Sequence, residues 1–540
     1  MFFNSWPKSK SSYMYACFLK NEPVPLEFFI SSRFAAQRKQ KRKPSPTCYT
    51  LLEKTLPLIA MDAANSDSMH LVMVPWLAFG HILPFAELAR RIALQGHQVT
   101  LLSAPRNTGR LIAIIPPDLE ALFRVVDVPL PRIEGLPEDA EATIDLPSDD
   151  LRPCLRRAFD AAFSAKLSEI LQAPAPSSRR PDWVLIDYAA YWAPAAAARH
   201  GVPCAFLSLF TAAALGFFGP PAALMGHSRE HLSTIPERFT SVPDYVTFPT
   251  TVAFRAYERR AMLKPGMIPD SSEVSEGYRM AKSIEGSKLV GVRSSVAFEP
   301  EWLQLVGELY RKPVIPLGMF PPPPTQDVGG HEAALEWLDG QAAPRSVVYV
   351  AFGSEAKLTG AQLRAIALGL EASGVPFLWA YRAPAAVDSG NGGGGLPEGF
   401  EERVSGQGLV CRGWVPQVRI LAHGSVGGFL THAGLNSVTE GLARGVRLVL
   451  LPLLFDQGLN ARLLVEKKVA VEVARDEEDG SFTAHDVAAA LRMVMVEDGS
   501  EEIGAKVREL AEVLGSDEVN DQCLRDFLQR LSDYSRQQQE

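Results

Sequence analysis

The feature that most limits the fold is a doubled alternation of short apolar runs with longer amphipathic segments, interrupted once by prolines. The first series comprises residues 71–74 (LVMV), a helical pattern ILPFAELARRIALQG with Gly96 as its stop, then residues 99–102, 184–186, 204–209 and 289–292. Runs that stay apolar, without alternating, belong to strands covered on both faces, as in a parallel sheet with crossover helices. Residues 319–330 (MFPPPPTQDVGG) break the series, because four consecutive prolines favour extended polyproline geometry and exclude helix. The alternation restarts at 347–352 and continues through 377–380, 408–411, 428–431 and 446–451. The expected fold is α/β, with two facing Rossmann-like domains, residues 61–318 and 331–540, joined by the linker 319–330 and enclosing a cleft. Helix-like segments 505–514 and 522–534 group with the second domain by position, although periodicity does not say where they pack. Residues 390–395 (GNGGGG) read as a surface loop.

The first sixty residues differ from the rest. They are basic, as in RKQKRK at 38–43, and sparse in acids, and Met61 begins a polar stretch like an ordinary N-terminus. Residues 1–60 are either a transit peptide or an upstream extension without a folded role. The second reading is adopted, with disorder expected there. The corresponding location is cytoplasmic, or plastid if the extension is a transit peptide.

Composition closes several other routes. A hydrophobic fraction of 47% and a charged fraction of 21% suit a globular chain. With 54 basic and 62 acidic residues the net charge is −8, so no global basic field points to nucleic acid. Six scattered cysteines without a C-x-x-C give neither a disulfide framework nor a zinc site. Residues 201–226 are uncharged and long enough for a membrane span, but Pro203, Pro220 and Pro221 favour a buried strand followed by an apolar helix. No obligate protein partner is evident.

G-x-G-x-x-G occurs only within the low-complexity GNGGGG at 390–395, which neither follows an apolar strand run directly nor opens a helical pattern, and G-x-x-x-x-G-K-[ST] is absent, which disfavours classical dinucleotide and P-loop sites. No D-x-D offers a carboxylate pair for a divalent cation, so metal-independent binding of phosphate is expected, with no cofactor. The segment THAGLNSVTEGLARG can supply it. Gly434 allows close backbone approach, and Asn436 and Ser437 open a helix whose first amides are unpaired and whose dipole favours an anion. His432 adds a donor, and Glu440 can accept from ribose hydroxyls. The competing reading is a capped helix with nothing bound, Asn436 being the N-cap. In the first half His81 follows residues 71–74 and PWLAFG, at the carboxyl end of a strand, where α/β proteins build sites. Gly80 would permit a turn that projects the imidazole. Histidine suits a base working near neutral pH, although taken alone a histidine at a helix start is more often a cap or packing residue. Asp187 ends another strand, as an orienting carboxylate or a helix cap. Tyr191 and Trp192 nearby are candidates for an aromatic wall or for core.

The 44 residues from Trp414 to Gln457 (WVPQVRILAHGSVGGFLTHAGLNSVTEGLARGVRLVLLPLLFDQ) resemble the signature box of plant secondary-product UDP-glycosyltransferases, in length, in W-x-P-Q, in H-x-G-x-N-S-x-x-E and in the closing D-Q. The resemblance runs from about Met69 to the C-terminus. It implies the GT-B fold and an inverting transferase that moves a hexose from a UDP-sugar to a hydroxyl of a small molecule. It implies that Trp414 stacks on uracil, with a core role as the alternative, and that Val415 bonds the base through its backbone. Gln417 and Glu440 would hold the ribose, Ser354, His432, Asn436 and Ser437 the phosphates, and Asp456 and Gln457 the sugar. His81 would be the base and Asp187 its orienting partner. The family usually has H-C-G-W-N-S where this chain has His432-Ala433-Gly434-Leu435-Asn436-Ser437. The missing Trp at Leu435 loosens the preference for glucose over a deoxy sugar such as rhamnose. The local segments PWLAFGHILPF, SAPRN, LPRIEGLPEDAEATIDLP and FPTTVAFRAYE resemble plant enzymes that extend sugars already attached to flavonoids or terpenoids. Other classes weighed are a non-catalytic UDP-sugar-binding relative and a Rossmann oxidoreductase.

Overall fold

The computed structural model describes residues 68–111, 116–172, 179–225, 239–324, 332–382 and 395–538. The expectations for residues 1–60, for most of the 390–395 loop and for the second half of the 319–330 linker therefore lie outside the described residues.

Two parallel sheets form the frame. The first has seven strands in the order β3-β2-β1-β4-β5-β6-β7. They are β1 (His70–Val74), β2 (Gln98–Ser103), β3 (Phe123–Asp127), β4 (Trp183–Ile186), β5 (Cys204–Ser208), β6 (Leu289–Val292) and β7 (Val314–Pro316). The second has six, in the order β10-β9-β8-β11-β12-β13. They are β8 (Val347–Ala351), β9 (Phe377–Tyr381), β10 (Gly408–Arg412), β11 (Val426–Thr431), β12 (Arg447–Leu450) and β13 (Ala470–Glu472). Each order reverses once beside its first strand, next to β1 and to β8, which is the doubly wound arrangement that opens a crevice at the strands' carboxyl ends.

Every apolar run read from the sequence became a strand, and β1, β4, β5 and β6 are buried along their whole length. The strands not foreseen are β3, β7 and β13, three to five residues long at sheet edges, and in β3 only Phe123 is buried. Short edge strands need no continuous apolar run, so they leave little pattern. The uncharged 201–226 stretch forms β5 and the helix Ala212–Phe218, and among the described residues no helix is long and apolar enough to cross a membrane.

Position along the chain misassigns the last helix, Asp517–Gln537. It packs on the first sheet, not the second. Leu524, Phe527, Leu528 and Leu531 join the core around Leu71, Leu185 and Leu317, and the Trp183 indole donates to the Leu531 carbonyl at 3.2 Å. Asn520 on this helix accepts through Oδ1 from the amides of Met319 and Phe320, at 2.7 and 2.9 Å, and so pins the start of the proline segment.

The two halves also meet through ionic contacts. Arg462 on the helix Gln457–Glu466 reaches Glu258 of the first half at 2.6 Å and Glu472 at 3.2 Å, with all three side chains nearly buried. Gly458 permits that approach, because a Cβ there would lie 2.5 Å from the Glu258 carboxylate.

Candidate active site

A cavity of about 790 Å³ lies between the carboxyl ends of the two sheets. His81 lies in the first turn of the helix Phe79–Leu94, directly after β1. Its Nδ1 is 2.7 Å from Asp187 Oδ2, at the end of β4. Asp187 is 1% exposed, and its carboxylate is fixed by the amides of Trp76 (3.0 Å, to Oδ2) and Tyr188 (2.7 Å, to Oδ1). The carboxylate can only accept here, so the imidazole proton sits on Nδ1 and the Nε2 lone pair is available. Burial drives the His81 pKa down. The charge and hydrogen bond of Asp187, with Glu355 and Asp456 acting from further away, outweigh it and leave the net shift upward.

One expectation for this corner fails. Gly80 makes no turn. It is the second residue of the helix, an added Cβ would meet nothing within 4 Å, and its part in the structure is a carbonyl that accepts from Asn436 Nδ2 at 3.2 Å.

Across the cavity, β11 ends at Thr431 and the chain turns through Ala433 (φ 63°) into the helix Leu435–Leu442. Its first helical bond runs from the Val438 amide to the Gly434 carbonyl at 3.0 Å, so the amides of Leu435, Asn436 and Ser437 lack acceptors within the helix. Asn436 is not the N-cap. Gly434 holds that position without a side-chain bond, and Asn436 Oδ1 accepts from Arg293.

His432 is wedged between two glycines. A Cβ on Gly353 would lie 2.7 Å from its ring, and one on Gly434 would lie 2.5 Å from Nε2. Burial pushes the His432 pKa down to about 4, so this imidazole is neutral at ordinary pH. Gly434 is thus required for approach to His432, while the left-handed turn itself falls on Ala433.

Trp414 is 69% exposed and lines the cavity, which removes its core alternative. Beside it Val415 is buried, and the amide nitrogen of Gln417 donates to the Val415 carbonyl at 2.8 Å. Gln417 Nε2 donates to Glu440 Oε2 at 2.8 Å and Oε1 accepts from the Tyr349 hydroxyl at 3.3 Å. Burial raises the Glu440 pKa against the pull of Gln417, Arg444 and Arg293.

Asp456 precedes the helix Gln457–Glu466 and accepts from Asn460 Nδ2 at 2.8 Å. Gln457 Oε1 is committed to the amides of Leu453 and Leu454, at 2.9 and 2.8 Å, which leaves its NH2 for a ligand. Ser354 follows β8, and Leu435 is 7% exposed; both line the cavity.

Thus His81, Ser354, Trp414, Val415, Gln417, His432, Gly434, Leu435, Asn436, Ser437, Glu440, Asp456 and Gln457 all border one cavity, and Asp187 stands one hydrogen bond behind it. Tyr191 and Trp192 do not border it. Trp192 donates to Asp160 at 2.9 Å and Tyr191 lies under Arg279, so both belong to the supporting shell. The aromatic wall comes instead from Tyr188 and Phe210, whose rings lie 5.6 and 6.1 Å from that of His81. The sequence reading also missed Glu355, which accepts from Thr143 Oγ1 at 2.7 Å and from Arg152 at 2.9 Å and thereby joins the halves at the cavity rim.

Residues 332–504 match the family model described as UDP-glucoronosyl and UDP-glucosyl transferase. UDP-glycosyltransferase 91C1 of Arabidopsis thaliana is 42% identical, over 84% of this chain and 95% of its own length. Soyasaponin III rhamnosyltransferase of Glycine max is 37% identical, over 88% and 98%. The chain belongs to the plant UDP-glycosyltransferase family. The crystal structure of Arabidopsis thaliana UGT89C1 complexed with UDP-L-rhamnose superposes with a TM-score of 0.65 at 25% identity, covering 86% of this chain and 99% of that one. The fold is therefore GT-B, and the protein is a glycosyltransferase that carries a sugar from a UDP donor to a small-molecule acceptor.

Proposed function

We propose that this transferase inverts the anomeric centre, with His81 as base, and that its acceptor is a glycoside of a terpenoid or flavonoid. The observation that carries the reading is the His81–Asp187 pair opening onto the same cavity as the free helix amides at 435–437. In this scheme UDP lies along the second sheet, with uracil on Trp414 and Val415, ribose at Gln417 and Glu440, and pyrophosphate at Ser354, His432, Asn436, Ser437 and the helix amides beside Gly434. The chain's own dipoles take the phosphate charge, without a metal or other cofactor. Asp456 and Gln457 receive the sugar, and Leu435 borders it.

His81 Nε2 takes the proton of the acceptor hydroxyl as its oxygen bonds to the anomeric carbon. The bond from that carbon to the phosphate oxygen breaks, and UDP leaves with the electron pair. Asp187 holds the tautomer and stabilises the imidazolium that forms. Proximity in the closed cleft supplies much of the rate.

The cavity lining includes the apolar Phe79, Ile144, Phe210, Phe254 and Met280 of the first half, together with Arg110 and with Arg152, which is paired to Glu355. Apolar walls suit a polycyclic aglycone, and a charged rim suits a sugar already attached to it. Retention of Asp456 and Gln457 favours glucose as donor, with rhamnose the competitor because of Leu435. The test is a matrix of UDP-glucose and UDP-rhamnose against flavonoid and terpenoid glycosides. Product anomeric configuration is read by proton coupling, and an α-glucoside from UDP-glucose would refute inversion. His81→Ala should lower turnover about 10²–10⁴-fold with UDP affinity nearly unchanged.

A further inference from the structure

Arg293 follows β6 in the first half, is 2% exposed, and lies outside the cavity lining. Its Nε donates to the Met319 carbonyl at 3.0 Å, its Nη1 donates to Asn436 Oδ1, and its guanidinium lies 4.7 Å from the centre of the Phe320 ring. None of these partners carries negative charge, and the nearest acids acting on it, Glu440 and Glu87, do so through space. A buried cation without a bonded carboxylate is costly, and an anion at the start of the helix Leu435–Leu442 would offset that cost.

An asparagine amide can sit either way round. Arg293 has donors only, so it forces Oδ1 of Asn436 toward itself and turns the NH2 outward. That NH2 already reaches the Gly80 carbonyl, beside His81, at 3.2 Å. We infer that Arg293 is a positioning residue for the donor: it fixes the Asn436 amide so that NH2 faces the UDP pyrophosphate, and it adds buried positive charge behind that site. This rests on the proposed pyrophosphate position at the start of the helix Leu435–Leu442. It means that the phosphate cradle of the second half is completed from the first, through a contact spanning 143 residues of sequence. Burial lowers the Arg293 pKa to about 10, which still leaves the side chain charged at neutral pH.

The experiment is calorimetric titration of the full-length wild type, Arg293→Met and Arg293→Lys with UDP and, separately, with uridine. Uridine shares the base and ribose but lacks the phosphates. Arg293→Met should weaken UDP about 10- to 100-fold, the worth of a hydrogen bond to a charged group, while uridine changes less than about twofold. Arg293→Lys keeps the charge but cannot present the same fork, so its loss should be selective for UDP and smaller. Equal losses for UDP and uridine, or none, would overturn the inference, and if the Met variant does not fold the Lys variant decides by the same ratio. A wild type that fails to bind UDP would instead sink the proposed donor site.

Discussion

Asp187→Asn separates the chemical role of the carboxylate from its place in the fold. Asp187 accepts three hydrogen bonds, from His81 Nδ1, the Trp76 amide and the Tyr188 amide. Asparagine offers one oxygen. If that oxygen faces His81 and Trp76, its NH2 confronts the Tyr188 N–H. If it faces Tyr188, its NH2 confronts the Trp76 N–H and donates to His81 Nδ1, moving the imidazole proton to Nε2 and removing the basic lone pair. Either way one buried donor is left unpaired, at a cost of about 1–3 kcal/mol of stability. The lost tautomer and imidazolium stabilisation should lower kcat/KM by about 10²–10⁴-fold. The pH profile gives the sharper reading. With His81 as the proposed base, only the neutral imidazole acts, and its pKa lies above the ordinary 6.5, so wild-type activity should fall as pH drops through that raised value. Without the Asp187 charge the downward pull of burial remains, so the acid limb of the residual activity should move to lower pH. Steady-state rates across pH, with circular dichroism to verify the fold, make the measurement. An acid limb that stays put or moves upward would refute the assignment of His81 as the titrating base.

Leu435→Trp should raise the UDP-glucose to UDP-rhamnose ratio of kcat/KM by about tenfold, from one methyl contact removed and one sugar hydrogen bond regained; an unchanged ratio would mean that this side chain does not face the sugar. Gly353→Ala must hold an alanine at φ 74° and put a Cβ 2.7 Å from the His432 ring, so the strain of about 1–2 kcal/mol and the displaced imidazole should weaken UDP binding by at least about tenfold, read by titration. Arg462→Met leaves the nearly buried Glu258 and Glu472 without this partner. The loss of about 3 kcal/mol should show as a lower thermal midpoint, and an unchanged midpoint would mean that the pair between the halves contributes nothing measurable.

Local sequence carried a great deal here because parallel strands buried on both faces are written as continuous apolar runs. The same holds for the 414–457 box, where strand, turn and helix lie close in the chain, so a strand ending at Thr431, a turn and a helix start near Asn436 were legible together, although the left-handed residue is Ala433 rather than Gly434 and the helix begins at Leu435. Edge strands such as β3 escaped because solvent covers one side and no apolar run is needed. Gly80 was over-read as a turn, since a glycine before a histidine looks the same whether or not its backbone needs positive φ. Tyr191 and Trp192 were candidates for the cavity wall, but which way an aromatic beside Asp187 faces depends on Arg279 and Asp160, which no local pattern connects to it.

Local pattern alone was enough for the two α/β halves, for a helix start with unpaired amides, and for the histidine and aspartate proposed as base and orienting partner. Packing was needed to show that His81 and Asp187 touch across 106 residues, that Arg293 donates to Asn436, that Glu355 bonds Thr143 and Arg152, and that the last helix returns to the first sheet. The physical reason is one of range. Periodicity and turn chemistry report what a residue does with neighbours a few positions away, whereas the pairing of buried polar groups is chosen by which chain ends the packed sheets bring together, and that choice leaves no periodic mark in the chain.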